Sequence, residues 1–187
     1  IYSTFLGYGA GAEFKNGSQG YANTGIGYFS LGGIKSNVAS EASSNTAVGY
    51  FSGSALTTGT SNTAIGTAAL GSANSSKAVA IGWHAMDLAT QGYNAVAIGS
   101  LSLQKNTANS EHVAVGANTL TNNTTGLRNT AVGYSALNAN TTGNYNTAFG
   151  WNTMGDDAAG DYNTVIGYNA GQTLFNSSNK TKLGARV

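Results

Sequence analysis

Seven acidic residues, two histidines and no cysteine are the chain's whole stock of strong catalytic and metal-binding groups. The acids are Glu13, Glu41, Asp87, Glu111, Asp156, Asp157 and Asp161, and most of them lie in separate segments. A glycosidase holds two carboxylates about 5 to 9 Å apart across a cleft, which such scatter does not favour. Asp156, Asp157 and Asp161 alone cluster, in the run DDAAGDYN. Several loop oxygens suit a hard cation, which makes these three a Ca2+ candidate. Their spacing matches neither the EF-hand nor the RTX pattern, so a solvated acidic loop is the preferred reading. His84 and His112 are expected as surface or interchain packing residues, because they occupy different positions of the repeat described below. No GxxxxGK[ST] motif and no strand–GxGxxG–helix context is present among the many glycines. The expectation is a protein that is not an enzyme and needs no cofactor.

Recognition by aromatic and amide groups is better provided for. Ring faces stack on sugars while amides and carboxylates bond their hydroxyls, and Trp83, His84, Tyr93, Tyr145, Trp151, Asn152 and Tyr162 are the candidates. Trp83 and Trp151 fall in a repeated column, which argues for packing along the molecule or between chains. Tyr93, Tyr145 and Tyr162 follow a loop glycine by one or two residues and are placed better for solvent.

What must position all of these is a repeat. In Asn129–Gly143 the sequence is NTAVGYSALNANTTG, and NYNTAFGWNTMG follows at once. With the Gly of NTAVG as zero, the unit recurs at Gly66, Gly82, Gly99, Gly116, Gly133, Gly150, Gly167 and Gly184, spaced by 16 and then by 17 throughout. Looser copies stand at Gly7, Gly27 and Gly49. A constant period near this length signals a solenoid. The expected fold is all-β, a parallel β-roll (β-solenoid) of about ten 17-residue coils. It forms a single domain over 1–187, with irregular longer coils in 1–44 and regular 17-residue coils in 45–187. At about 4.8 Å per coil the rod is on the order of 50 Å long.

The columns suggest which side is which. The residue before Gly is always apolar, and the residue two further back is almost always Thr or Val, so the two share a strand face. Because Val replaces Thr freely, that face is expected inside. The column between them, Ala47, Ala64, Ala80, Ala97, Ala114, Ala131 and Ala148, then faces outward. So small a column suggests the close approach of another backbone, and these alanines are the expected oligomer interface. Alternation after the Gly, ending at Leu70, Leu103, Leu120 and Leu137, predicts a second short strand. Phe14 and Phe29, in or beside extra segments of the first coils, are expected to pack back onto the rod.

Composition narrows the setting. Enrichment in Ser, Thr, Asn and Gly could signal disorder, but disorder does not explain an apolar residue before every Gly zero. Charged residues make up 8% of the chain and the net charge is +1, which leaves no electrostatic footprint for nucleic acid. No apolar run approaches the roughly 18 residues of a membrane span. The first residue is Ile, and the repeat reaches both ends without an atypical cap. Neighbouring segments or other chains are therefore expected to continue it.

The runs NTAVG, NTAIG, KAVAIG, NAVAIG and EHVAVG resemble the head repeat of trimeric autotransporter adhesins of the YadA-like family, and the longer unit resembles repeats of phage tail-fibre proteins. The likeness extends over residues 20–184. It implies a left-handed roll, three chains per rod, an extracellular place on a bacterial or virion surface, and attachment through a cell-surface glycan or protein receptor. Coils here are longer than the adhesin head's, and Thr often stands where that motif has its first Val. The functional expectation is a non-enzymatic trimeric fibre segment. Alternatives are an extracellular filament subunit stacking end to end, or an ice- or surface-binding solenoid.

Overall fold

The computed structural model describes residues 2–14, 20–34, 42–90, 93–108, 111–156, 160–174 and 176–186. Eleven three-residue strands lie just before the glycine zeros: β1 (Thr4–Leu6), β2 (Thr24–Ile26), β3 (Thr46–Val48), β4 (Thr63–Ile65), β5 (Val79–Ile81), β6 (Val96–Ile98), β7 (Val113–Val115), β8 (Thr130–Val132), β9 (Thr147–Phe149), β10 (Thr164–Ile166) and β11 (Thr181–Leu183). They form one parallel sheet in strict sequence order. Each strand pairs with the next in the register of the repeat, for example Thr130↔Thr147, Ala131↔Ala148 and Val132↔Phe149. The expected β-solenoid is the architecture observed, and no described residue is helical.

The glycine zeros make this stacking possible. Each from Gly7 to Gly184 has φ between +123° and +141°, a region that side chains with a Cβ resist. Neighbouring coils also touch there: a Cβ on Gly116 would sit 2.5 Å from the Gly133 carbonyl oxygen.

The two faces of the strand are the reverse of the expectation. Ala47, Ala64, Ala80, Ala97, Ala114, Ala131 and Ala148 are all 0% exposed within the single chain, so they line the lumen and are no interface. The Thr/Val column and the apolar column before Gly point outward, with Ile98 37% and Phe149 56% exposed. The physical reason is the narrow coil. Opposite the alanines lie the bulky side chains Leu31, Leu70, Met86, Leu103, Leu120, Leu137 and Met154, all fully buried. A small column facing a large one fills a coil of this length at close-packed density.

That bulky column also corrects the predicted second strand. Residues two and four after the Gly have positive φ, as in Leu101 and Leu103 (58° and 50°) or Ser135 and Leu137 (54° and 51°). Left-handed residues at these alternate positions coil the chain so that the adjacent third and fourth residues, such as Ala136 and Leu137, are both buried, which the alternating faces of an extended strand would not allow. Such non-glycine conformations are uncommon and cost about 1–2 kcal/mol each. Burial of a Leu or Met, worth roughly 1.5–3 kcal/mol, offsets this. Where the fourth position is Gly, as at Gly53 and Gly171, the space goes to Leu56 and Leu174 three residues later. In the first coil Phe14 takes that place and packs on Phe5, ring centroids 5.2 Å apart. Phe29 stacks on Phe51 at 5.4 Å, so both phenylalanines do pack back onto the rod.

Polar groups in the lumen are satisfied by amide ladders that sequence reasoning missed. Four residues before Gly come Asn23, Asn45, Asn62, Asn129, Asn146 and Asn163, all buried. Each side-chain oxygen accepts the backbone N–H of the corresponding residue one coil on, as Asn129 Oδ1 does from Asn146 at 2.8 Å. Each side-chain nitrogen donates to a loop carbonyl, often the loop glycine, as Asn129 does to Gly143 at 2.7 Å. A second ladder, Asn140 to Asn123 to Asn106, runs seven residues after Gly with bonds of 2.8 and 3.2 Å. A polar residue recurring at one phase was the available signal, because a surface loop does not need to keep Asn in register.

Candidate functional site

The residue after each Gly zero projects from the edge of the sheet. Tyr8, Tyr28 and Tyr50 stack there at 5.4 and 5.2 Å, and Tyr134, Trp151 and Tyr168 at 5.9 and 5.0 Å. These are half-exposed ring piles whose faces are occupied by one another, so the expected packing along the rod holds for Trp151. Trp83 differs. Its column neighbours are Thr67 and Ser100, and its described ring contact is an edge-on one with His84 at 4.2 Å.

His84 Nδ1 lies 2.6 Å from Asp87 Oδ2, an ion pair when the ring is protonated. His112, expected at a surface or between chains, is instead fully buried in the lumen. It stands where most coils have ladder Asn: its Nδ1 accepts the Asn129 N–H at 3.0 Å, and its Nε2 is 3.0 Å from Asn123 Nδ2. Burial pushes its pKa down to about 4, against smaller opposing effects of hydrogen bonds with the Asn129 and Gly126 backbone.

Tyr145 and Tyr162 form a separate pile, rings 4.8 Å apart and nearly parallel at 3°. Arg128 continues it: the guanidinium lies 5.5 Å from the Tyr145 ring, donates to the Tyr145 hydroxyl at 2.6 Å and donates to Glu111 at 2.7 Å. The Glu111 and Tyr145 hydrogen bonds raise the Arg128 pKa. All four residues stand five before a Gly zero, so one loop position builds an external ladder. Tyr93 stands six before its Gly; it is exposed but out of phase with that ladder.

The acidic cluster is dispersed in purpose. Asp161 Oδ1 accepts from the Asn144 backbone and side chain at 2.7 and 3.0 Å, which fastens one loop to the next. Asp157 lies outside the described residues. No group of three or more His, Asp or Glu side chains suited to a metal occurs among the described residues.

Asp156 belongs to a different feature. A cavity of about 430 Å3 is lined by Trp151, Asn152, Asp156, Asn169, Gln172, Thr173 and Arg186, within the size range of small-ligand sites. Of the seven sequence candidates the structure brings Trp151 and Asn152 into this hollow. Trp83 and His84 sit four coils away, and Tyr145 and Tyr162 form their own pile in the loop before the strand.

Neither a protein-family model, nor a curated protein, nor a solved structure matches the chain. No helix among the described residues is long and apolar enough to cross a membrane.

Proposed function

We propose that this chain is a non-enzymatic structural segment of an extracellular surface fibre, bacterial or viral, in which three copies associate lengthwise and serve attachment to a host or cell surface. The observation that carries the reading is the outward strand face. Leu6, Ile26, Ile65, Ile98, Phe149, Ile166 and Leu183 stand exposed along it from β1 to β11. Exposed apolar surface of this continuity marks an interaction site. Ten coil spacings of about 4.8 Å and a strand of about 10 Å give a face of about 500 Å2, so two copies bury about 1,000 Å2, the lower bound for a specific interface. Further copies of this chain are the fitting occupants, since evenly spaced ladders can pack side by side, and the two outward columns, from Thr4 and Leu6 to Thr181 and Leu183, carry no charge. With the alanines inside, the association surface moves from the Ala column to this one.

The test is the solution mass of the native chain and of Ile98→Glu, by light scattering after size exclusion. The expected result is three times the 18.8 kDa chain mass for the native protein and a folded single chain for the variant. A native monomer would sink the association. It would revive lattice or surface binding, because the Thr ladder does face outward, though Val79, Val96 and Val113 interrupt it. Heterogeneous polymers would point instead to end-to-end stacking through the free edges of β1 and β11.

A further inference from the structure

We propose that the cavity beside Trp151 binds an uncharged pyranose residue of a surface glycan, an inference that rests on the attachment reading and gives it a ligand class. Three observations lead there. The first is that the lining is polar apart from Trp151, whose two faces are covered by Tyr134 and Tyr168 at 5.9 and 5.0 Å. A ring with no free face cannot stack a planar aromatic ligand and leaves only an edge as an apolar wall. The occupant must therefore satisfy hydrogen bonds.

The second is that the amides of the lining are already fixed by one another. Asn152 Nδ2 donates to Asn169 Oδ1 at 3.1 Å and to Asp156 Oδ2 at 3.5 Å. The Asp156 N–H donates to Gln172 Oε1 at 3.1 Å, and Gln172 Nε2 donates to the Asn152 carbonyl. Groups held in this way are preorganised, so a ligand does not have to order them.

The third is the pair of charges. Asp156 and Arg186 line the same hollow, yet no ion pair joins them, and the side chain of Arg186 has no partner among the described residues. A ligand with net charge of either sign meets repulsion from one of the two. A hydroxyl-rich neutral ring suits both, since its hydroxyls donate to the carboxylate and accept from the guanidinium fork. Trp83, which does not line this hollow, supplies the control.

The experiment is a screen of the native protein against immobilised oligosaccharides, followed by saturation-transfer NMR with methyl glycosides of glucose, galactose, mannose and N-acetylglucosamine. Binding of at least one pyranoside is expected, with affinity reduced at least tenfold in Asp156→Asn and in Arg186→Gln and unchanged in Trp83→Ala. The proposal is overturned if no sugar binds, if both cavity variants bind like the native protein, if Trp83→Ala loses as much, or if glycine or serine displaces the sugar as a zwitterion. Flow-cytometric adhesion to cells separates this from the attachment reading. Adhesion by the native protein that Asp156→Asn retains in full overturns the cavity alone. Sugar binding without adhesion upholds the cavity and sinks attachment.

Discussion

In the coils of Asn129, Asn146 and Asn163 the strand side of the lumen carries a continuous chain of side-chain amides. In the coils of Ala78, Ala95 and His112 that chain is broken: Asn62 passes its last bond to the Ala78 N–H at 3.0 Å, and His112 restarts the series at Asn129. The sheet does not notice. β4 to β8 pair in the same register as every other strand. Backbone pairing and the glycine contact therefore hold the rod together, while the amides tie each loop to the strand beside it. A second amide chain on the other side, Asn106, Asn123 and Asn140, runs from the Ala95 coil through the His112 coil into the Asn129 coil, and His112 touches both series. The two regions differ in how polar groups are satisfied and agree in how coils stack.

The sharpest way to break the comparison is to strike what the regions share. Gly116→Ala puts a Cβ 2.5 Å from the Gly133 carbonyl oxygen at φ +126°. Strain and overpacking together should cost about 4 kcal/mol. Gly150→Ala, in the amide-rich region, should cost about the same. Thermal unfolding by circular dichroism reads both, and a much milder effect in one region would mean that the coils there are not in close contact.

What differs between the regions should appear with pH. In the unfolded chain His112 titrates near 6.5, and in the folded chain near 4. The folded pKa is the lower one, so between these values the unfolded state binds more protons. Stability is full above about pH 6.5 and falls as the pH drops through that window, by about 3 kcal/mol in total. A second proton would have to go on Nδ1, which already faces the Asn129 N–H donor. His112→Asn should extend the amide ladder into this coil and flatten the dependence between pH 6.5 and 4. Denaturant titrations of both proteins across that range provide the check, and parallel curves would show that His112 is not held neutral by the fold.

Much of this was legible in the sequence and some was not, for identifiable reasons. The period, the strand positions and the demand for Gly at zero follow from spacing alone, because stacking repeats the same steric problem in every coil. Inside and outside were reversed because a β-branched Thr/Val column fits a pleated strand on either face, and because small alanines were credited to a partner chain when the chain's own Leu column lay across a narrow lumen. The second strand was illusory because its small and large columns are adjacent, as in Ala136 and Leu137, and left-handed residues beside them turn both inward. The candidate residues divided along similar lines. Repetition identified Trp151 as part of a pile, but the hollow beside it also needs Asn169 and Arg186, which repeat the position of Asn152 two residues after Gly, and Gln172, and a shared phase does not by itself say that a hollow opens there.

The smallest expected effect tests whether the amide chain contributes beyond the sheet. Asn146→Ala removes the acceptor of the Asn163 backbone N–H at 3.0 Å and the donor to the Gly160 carbonyl at 2.8 Å. Leaving such buried groups unpaired costs roughly 1–3 kcal/mol. Ala78 and Ala95 show that the strand itself accepts alanine at this position, so the far-ultraviolet spectrum should persist while the melting temperature falls. Amide exchange should quicken at Asn163, whose acceptor is gone, more than within β9. An unchanged melting temperature would mean that water satisfies the freed groups in the loop, and that the Asn-bearing and Ala-bearing coils are equally stable despite their different interiors.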